Sequence, residues 1–181
     1  LSHGALNKYE TGAMAPGSQA LIHLSRALKQ PVDYFFREFG AAWTREPSFR
    51  RRVSRLGVRE RNSLLERSLD YFERYREIEE VTGEHLPFHN PLPSSPAKTE
   101  AEVSARVKRL RKAWNLGDDP LPNLQELMEL KGIKVYEIET GNEAFDGLYC
   151  TVNGQPVVVV ASWLNRVIPR KRMTEVHELA H

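Results

Sequence analysis

His177-Glu178-Leu179-Ala180-His181 closes the sequence with an H-E-x-x-H motif. On a helix, residues four apart lie one above the other on the same face, so the imidazoles of His177 and His181 can reach one metal ion. Glu178 follows the first of them and can be directed at an open coordination position, where a bound water waits to be deprotonated. His177 and His181 are therefore the candidate metal ligands and Glu178 the candidate general base, which is the residue set of a metal-assisted hydrolase. Zinc is the ion expected from the ligand types, and manganese or iron would also accept two imidazoles and a carboxylate. Two other features imitate chemistry and are set aside. His85 and His89 are also four apart, but Pro87 between them precludes the helix that would pair them, so both read as surface residues. Cys150, the sole cysteine, has no disulfide partner and falls in an apolar alternating stretch, where it reads as a small core residue.

The motif needs a helix, and the sequence predicts one beginning after Pro169. Upstream, Ala101, Val103, Val107, Leu110, Ala113 and Trp114 repeat at helical spacing from about Lys98, with Gly117 as a stop. A second helix follows Pro122, with Leu124, Leu127, Met128 and Leu130 inward and Gly132 just past its end. Ile133, Val135 and Ile138 then mark a strand, and segments 145–152 and 155–161 read as two more, joined by the hairpin signal Asn153-Gly154. The expectation is an α+β catalytic half, a small antiparallel sheet with the H-E-x-x-H helix packed on it.

The first 39 residues read differently, as short helices. Ser2 can cap a helix running to about Thr11, with Gly12 placed to end it, and Ser18 starts the next. Leu21, Leu24, Ala27 and Leu28 share a face, and Val32, Phe35 and Phe36 are expected to cover a core. Residues 41–84 carry an amphipathic helical stripe through Phe49, Val53, Leu56, Leu64, Leu65, Leu69, Tyr71, Phe72, Tyr75 and Ile78, with Gly57 as a break. That stretch is expected to connect two modules or to pair with another chain. Between Thr82 and Thr99, the prolines at 87, 91, 93 and 96 predict a linker and a boundary. The expected organisation is thus 1–39, a connector and linker over 40–97, and 98–181.

The chain has 181 residues, 40% of them hydrophobic and 28% charged, which is ordinary for a globular protein of one or two domains. No apolar run approaches the roughly 20 residues of a membrane helix, and no secretory signal is visible, so a cytoplasmic protein without membrane contact is expected. The net charge of +2 is too small to argue for nucleic acid. The crowding of Arg50, Arg51, Arg52, Arg55, Arg59 and Arg61 reads as a solvated face. Leu1 is not an initiator methionine and the first residues read as a domain interior, so a fragment of a longer protein is expected.

Two resemblances sharpen these expectations. The run Ser2 to Gly12, then Pro16, Leu21 to Leu28 and Pro31-Val32-Asp33-Tyr34-Phe35, resembles the second half of an XRE-type (Cro/C1-like) helix-turn-helix domain. That resemblance implies that the first helix is the recognition helix and puts Ser2, His3, Ala5, Asn7 and Lys8 nearest to double-stranded DNA. Asn7 could then read adenine edges and Lys8 could meet guanine or phosphate. It also implies two preceding helices and, from the habit of such proteins, a homodimer matching two half-sites.

From about Lys98 onward the sequence is similar to the ImmA/IrrE family of metallopeptidase domains. The residues that carry the similarity are 119–124, the Gly132-Ile133-Lys134-Val135 turn into a strand, Phe145-Asp146-Gly147, the Val157 to Val160 strand and Arg172 to His181. The resemblance implies a zincin-like domain in which His177 and His181 bind zinc, Glu178 is the base and an acidic third ligand comes from a later helix. It further implies a protein substrate, such as a transcriptional repressor. The alternative is an XRE-type regulator or antitoxin whose peptidase-like half only senses a ligand or holds partners.

Overall fold

The computed structural model describes residues 1–28, 30–36, 56–121 and 123–181 in full and the backbone of 43–49. It is a mixed α+β chain that divides into two compact units, residues 1–40 and 41–181. Arginines 50, 51, 52 and 55, together with Val53 and Pro122, lie outside the described residues.

The first unit holds α1 (His3–Glu10), α2 (Ser18–Leu28) and a 3-10 turn over Val32–Phe36. Ser2 caps α1 as its residue type predicts, its Oγ accepting from the Ala5 N–H at 3.2 Å, and Gly12 leaves the helix at a φ of +70°. Among the described residues of this unit only Leu21 is a buried hydrophobic. The expectation that Val32 and Phe36 cover a core is corrected, since Phe36 is 69% exposed and Val32 lies at the surface with it. So short a run of helices has too little interior to bury every apolar side chain it carries.

The second unit is built on a four-stranded sheet in the order β1-β3-β4-β2, from β1 (Trp43–Phe49), β2 (Lys134–Ile138), β3 (Gly147–Val152) and β4 (Gln155–Ala161). The β3–β4 hairpin turns on Asn153 and Gly154, both at positive φ (48° and 81°), the pair of left-handed residues that a two-residue turn requires. The antiparallel expectation fails for β2, which pairs parallel to β4 with Lys134 opposite Val157 and Ile138 opposite Ala161. The reason lies in β4: Val157 to Ala161 are all at 0–1% exposure, so both of its faces are covered. A strand buried on both faces takes the centre of a sheet, and β4 does so by inserting between β2 and β3.

Segment 43–49 was expected to be helical and is instead an edge strand, antiparallel to β3. Pro47 removes an N–H and disfavours a helix, whereas an edge strand accommodates it at a register shift such as the one between Arg45 and Ser48.

Alternation assigns the two faces of the sheet. Lys134 and Tyr136 of β2 point to α3 (Val58–Thr82), where Tyr136 stacks on Tyr71 with ring centroids 4.0 Å apart. Gly147 of β3 and Glu137 of β2 point to the other side, towards α6 (Ile168–Ala180). α5 (Leu124–Leu130) packs on α6 and β2. The helix placed in a connector by its sequence therefore contributes Leu64 and Phe72 to the core of the second unit, while Ile78 at its far end is 63% exposed. α4 (Glu100–Ala113) forms as its spacing predicts, capped by Thr99, but none of its residues is buried. The proline-rich stretch after Gly83 has no helix or strand, as expected, and runs over Gly132. Gly132 has a φ of +83°, and a Cβ there would lie 2.8 Å from the backbone of Leu86, Pro87 and Phe88. Among the described residues no helix is long and apolar enough to cross a membrane.

Candidate metal centre

Three consecutive cations near the start of α6 fix that helix in place. Arg170 donates through Nη2 to both carboxylate oxygens of Asp146, at 2.8 and 3.0 Å, while its guanidinium lies 4.7 Å over the Trp163 ring. The Trp163 indole in turn donates to the Phe145 carbonyl at 2.8 Å, so the segment before β3 and the start of α6 are tied twice. Lys171 reaches the Glu137 carboxylate on β2 and the Asn165 amide oxygen. Burial by itself would raise the Glu137 carboxyl, but the hydrogen bonds from Lys171, Asn165 and Gln125 outweigh it and hold it below the usual carboxylate range. Arg172 donates to the Leu121 carbonyl, ahead of α5. Pro169 in the first turn suits the helix start, where its missing N–H costs nothing.

One turn further on, α6 lies directly on β3. A Cβ placed on Gly147 would come within 2.9 Å of Thr174 Cγ2 and of the Val159 carbonyl oxygen, and 3.4 Å from Glu178 Cγ. Only a residue without a side chain lets the helix approach this closely. Thr174 and Glu175 are buried at 0% and 3% exposure. Burial raises the Glu175 carboxyl above its ordinary value, with Lys171 and Arg172 pulling the other way.

With α6 held there, the three motif residues come together at its C-terminal end. His177 and His181 sit one helical turn apart with Nε2 atoms separated by 3.3 Å, their rings nearly perpendicular at 86°. Glu178 is 1% exposed, and one ligand atom from each of the three residues lies within 4.8 Å of the others. The nitrogen spacing is a direct test of metal fit. Two nitrogens about 2.0–2.1 Å from one tetrahedral zinc stand about 3.3–3.4 Å apart, which is the separation these imidazoles have without adjustment. Two imidazoles are also ligands that divalent transition ions accept, and the Glu178 carboxylate lies beside them.

Tyr149 was not anticipated. It follows Gly147 by two positions on β3 and so faces the same helix, and its ring stacks on the His181 imidazole with centroids 6.2 Å apart and planes 16° from parallel. The two-residue period from Gly147 is the signal that could have found it. His85 and His89 lie in the non-helical stretch, as Pro87 requires, and His85 Nδ1 sits 3.4 Å from Glu79. Cys150 is buried on the α3 face, where burial raises its thiol far above the ordinary range, so it is a core residue.

In the first unit, His3, Ala5, Asn7 and Lys8 all lie on α1 and Ser2 immediately precedes it. His3, Asn7 and Lys8 are exposed and Ala5 is half-buried, while the Ser2 hydroxyl is engaged as the cap. Comparison with protein-family models, with curated proteins and with solved structures gave no match for this chain.

Proposed function

We propose that the second unit is a zincin-like metallo-endopeptidase domain of the ImmA/IrrE kind, and that the first is an XRE-type DNA-binding module which brings it to regulated genes. The observation that carries the reading is the 3.3 Å separation of the His177 and His181 Nε2 atoms beside a buried Glu178. His177 and His181 would hold zinc, with an acidic residue of a later helix completing the ligand set. A bound ion of this kind polarises a scissile carbonyl and brings the pKa of a coordinated water towards neutrality. Glu178 is the base: its carboxylate takes the proton of the attacking water and delivers it to the leaving amine. At 1% exposure that carboxylate is held away from bulk solvent, beside the two imidazoles. Tyr149 positions His181 by covering one face of its ring.

The substrate proposed is a protein, a transcriptional repressor being the fitting example for a peptidase coupled to a DNA-binding unit. The exposed Asn7 and Lys8 support the placement of α1 in a major groove, with two copies of the chain matching two half-sites. The test is Glu178→Gln in the protein with its third ligand present. Retained zinc with cleavage of a co-expressed repressor lost supports the reading, and cleavage at the wild-type rate overturns it.

A further inference from the structure

The face of the sheet opposite the histidine pair carries a cavity of about 600 Å³, between α3 and the turn of the β3–β4 hairpin. This lies within the volume range of small-molecule sites. Its apolar wall is Phe72, Val152 and Val157, and its polar wall is Lys134 with Arg76.

Lys134 is unusual for a strand residue. Its side chain is 7% exposed, paired with Glu79 and set with its ammonium 4.4 Å over the Tyr75 ring. A buried pair of this kind is poor stabilisation, because desolvating two charges costs about as much as their attraction returns, and apolar residues of equal volume would serve the core as well. Its position on a cavity wall gives it a different use. An ammonium presents three N–H groups, of which Glu79 and the Tyr75 face account for two. Arg76 is similarly underused: Nη1 meets Glu80 at 2.8 Å, while Nε is buried and, among the described residues, has no hydrogen-bond acceptor. A guanidinium whose Nε has no acceptor keeps donor capacity, and a modest turn of this partly exposed side chain would bring its Nε–Nη2 edge to a planar carboxylate in the cavity for two parallel hydrogen bonds. The two acids at the cavity, Glu79 and Glu80, are each already engaged by a cation.

We propose that this cavity binds a small organic acid, its carboxylate held between Arg76 and Lys134 and its flat apolar body against Phe72, Val152 and Val157. The site shares no residue with the histidine cluster, so it stands or falls independently of the peptidase reading.

The test is an amide NMR titration of the whole chain with 3-phenylpropionate as probe, alongside its neutral isostere 3-phenylpropanamide and inorganic phosphate. Saturable shifts centred on Asn153, Gly154 and Gln155 are expected with the acid. Binding about tenfold weaker is expected for the amide and for phosphate, since one lacks the charge and the other the apolar body. Arg76→Gln, at a side chain 43% exposed and so tolerated by the fold, should weaken the acid about tenfold as well. Absence of saturable shifts, equal binding of the amide or of phosphate, or an unchanged affinity in R76Q would each overturn the proposal.

Discussion

Gly147 and Glu178 meet where β3 and α6 are closest, with the position of an added Cβ 3.4 Å from the glutamate's Cγ and 2.9 Å from Thr174 Cγ2. The candidate base is therefore located by an absence of side chain on the neighbouring strand. Gly147→Ala must displace α6 or the Val159 carbonyl, and overpacking of this kind costs roughly 1–3 kcal/mol. The helix carries His177, Glu178 and His181 together, so the same substitution should also weaken metal retention. Denaturant unfolding and zinc titration of G147A measure the two effects, and wild-type values in both would show that the close approach is not required.

Asp146 and Arg170 hold the other end of the same helix. Asp146 has a side chain 5% exposed and Arg170 one 35% exposed, so the pair is only partly desolvated. Asp146→Asn retains the shape and removes the charge, leaving a guanidinium that has lost its counter-ion. A loss of about 1–3 kcal/mol is expected, below the cost of breaking a fully buried pair. Thermal unfolding of D146N, with R170M as the reciprocal variant, checks this.

Local signals were enough for the elements that depend on local chemistry. Asn153-Gly154 announced its hairpin because both residues tolerate positive φ, and Ser2 announced its helix because a hydroxyl can accept from a first-turn N–H. The motif on α6 was legible for the same reason, since four-residue spacing on a helix fixes the two imidazoles relative to each other. What depended on distant pairing was harder to see. The parallel pairing of β2 with β4 had one sequence trace, the unbroken valine run 157–160, which does not alternate as a half-exposed strand would. Segment 43–49 mixes charges with Trp43, Thr44, Pro47 and Phe49, a pattern that periodicity cannot assign until a partner edge is known. Tyr149 became a site residue only through its register with Gly147, and Arg76 and Lys134 came to one cavity only because α3 packs on β2, where Lys134 meets a Glu79 that is 55 positions away in sequence.

The Glu137–Lys171 pair gives the second unit a specific response to acid. The folded-state pKa of Glu137 lies below its ordinary value, so the folded state binds its proton less readily than the unfolded chain does. Its contribution is present above the unfolded value of 4.5 and is lost as pH falls through the lower, folded value. Glu137→Gln removes the charge and with it this part of the acid sensitivity. Unfolding midpoints compared from pH 7 down to pH 3 should therefore converge for wild type and E137Q, the variant being less stable at the upper end only. Parallel curves across that range would mean the hydrogen bonds to Lys171 are not made in solution.

Asn7 and Lys8 separate two modes of DNA contact on adjacent positions of α1. An amide that pairs with an adenine edge carries sequence information, whereas an ammonium at a phosphate does not. Asn7→Ala should cost about 1–3 kcal/mol on the preferred duplex and little on others, flattening sequence preference. Lys8→Ala, if its contact is phosphate, should weaken all duplexes alike and lower the slope of log affinity against log salt by about one. Both residues are exposed and neither is a cap, so the helix persists in each variant and a loss of binding cannot be blamed on unfolding. Duplex binding by fluorescence anisotropy at several salt concentrations distinguishes the two patterns, and identical behaviour of N7A, K8A and wild type would remove α1 from the DNA interface.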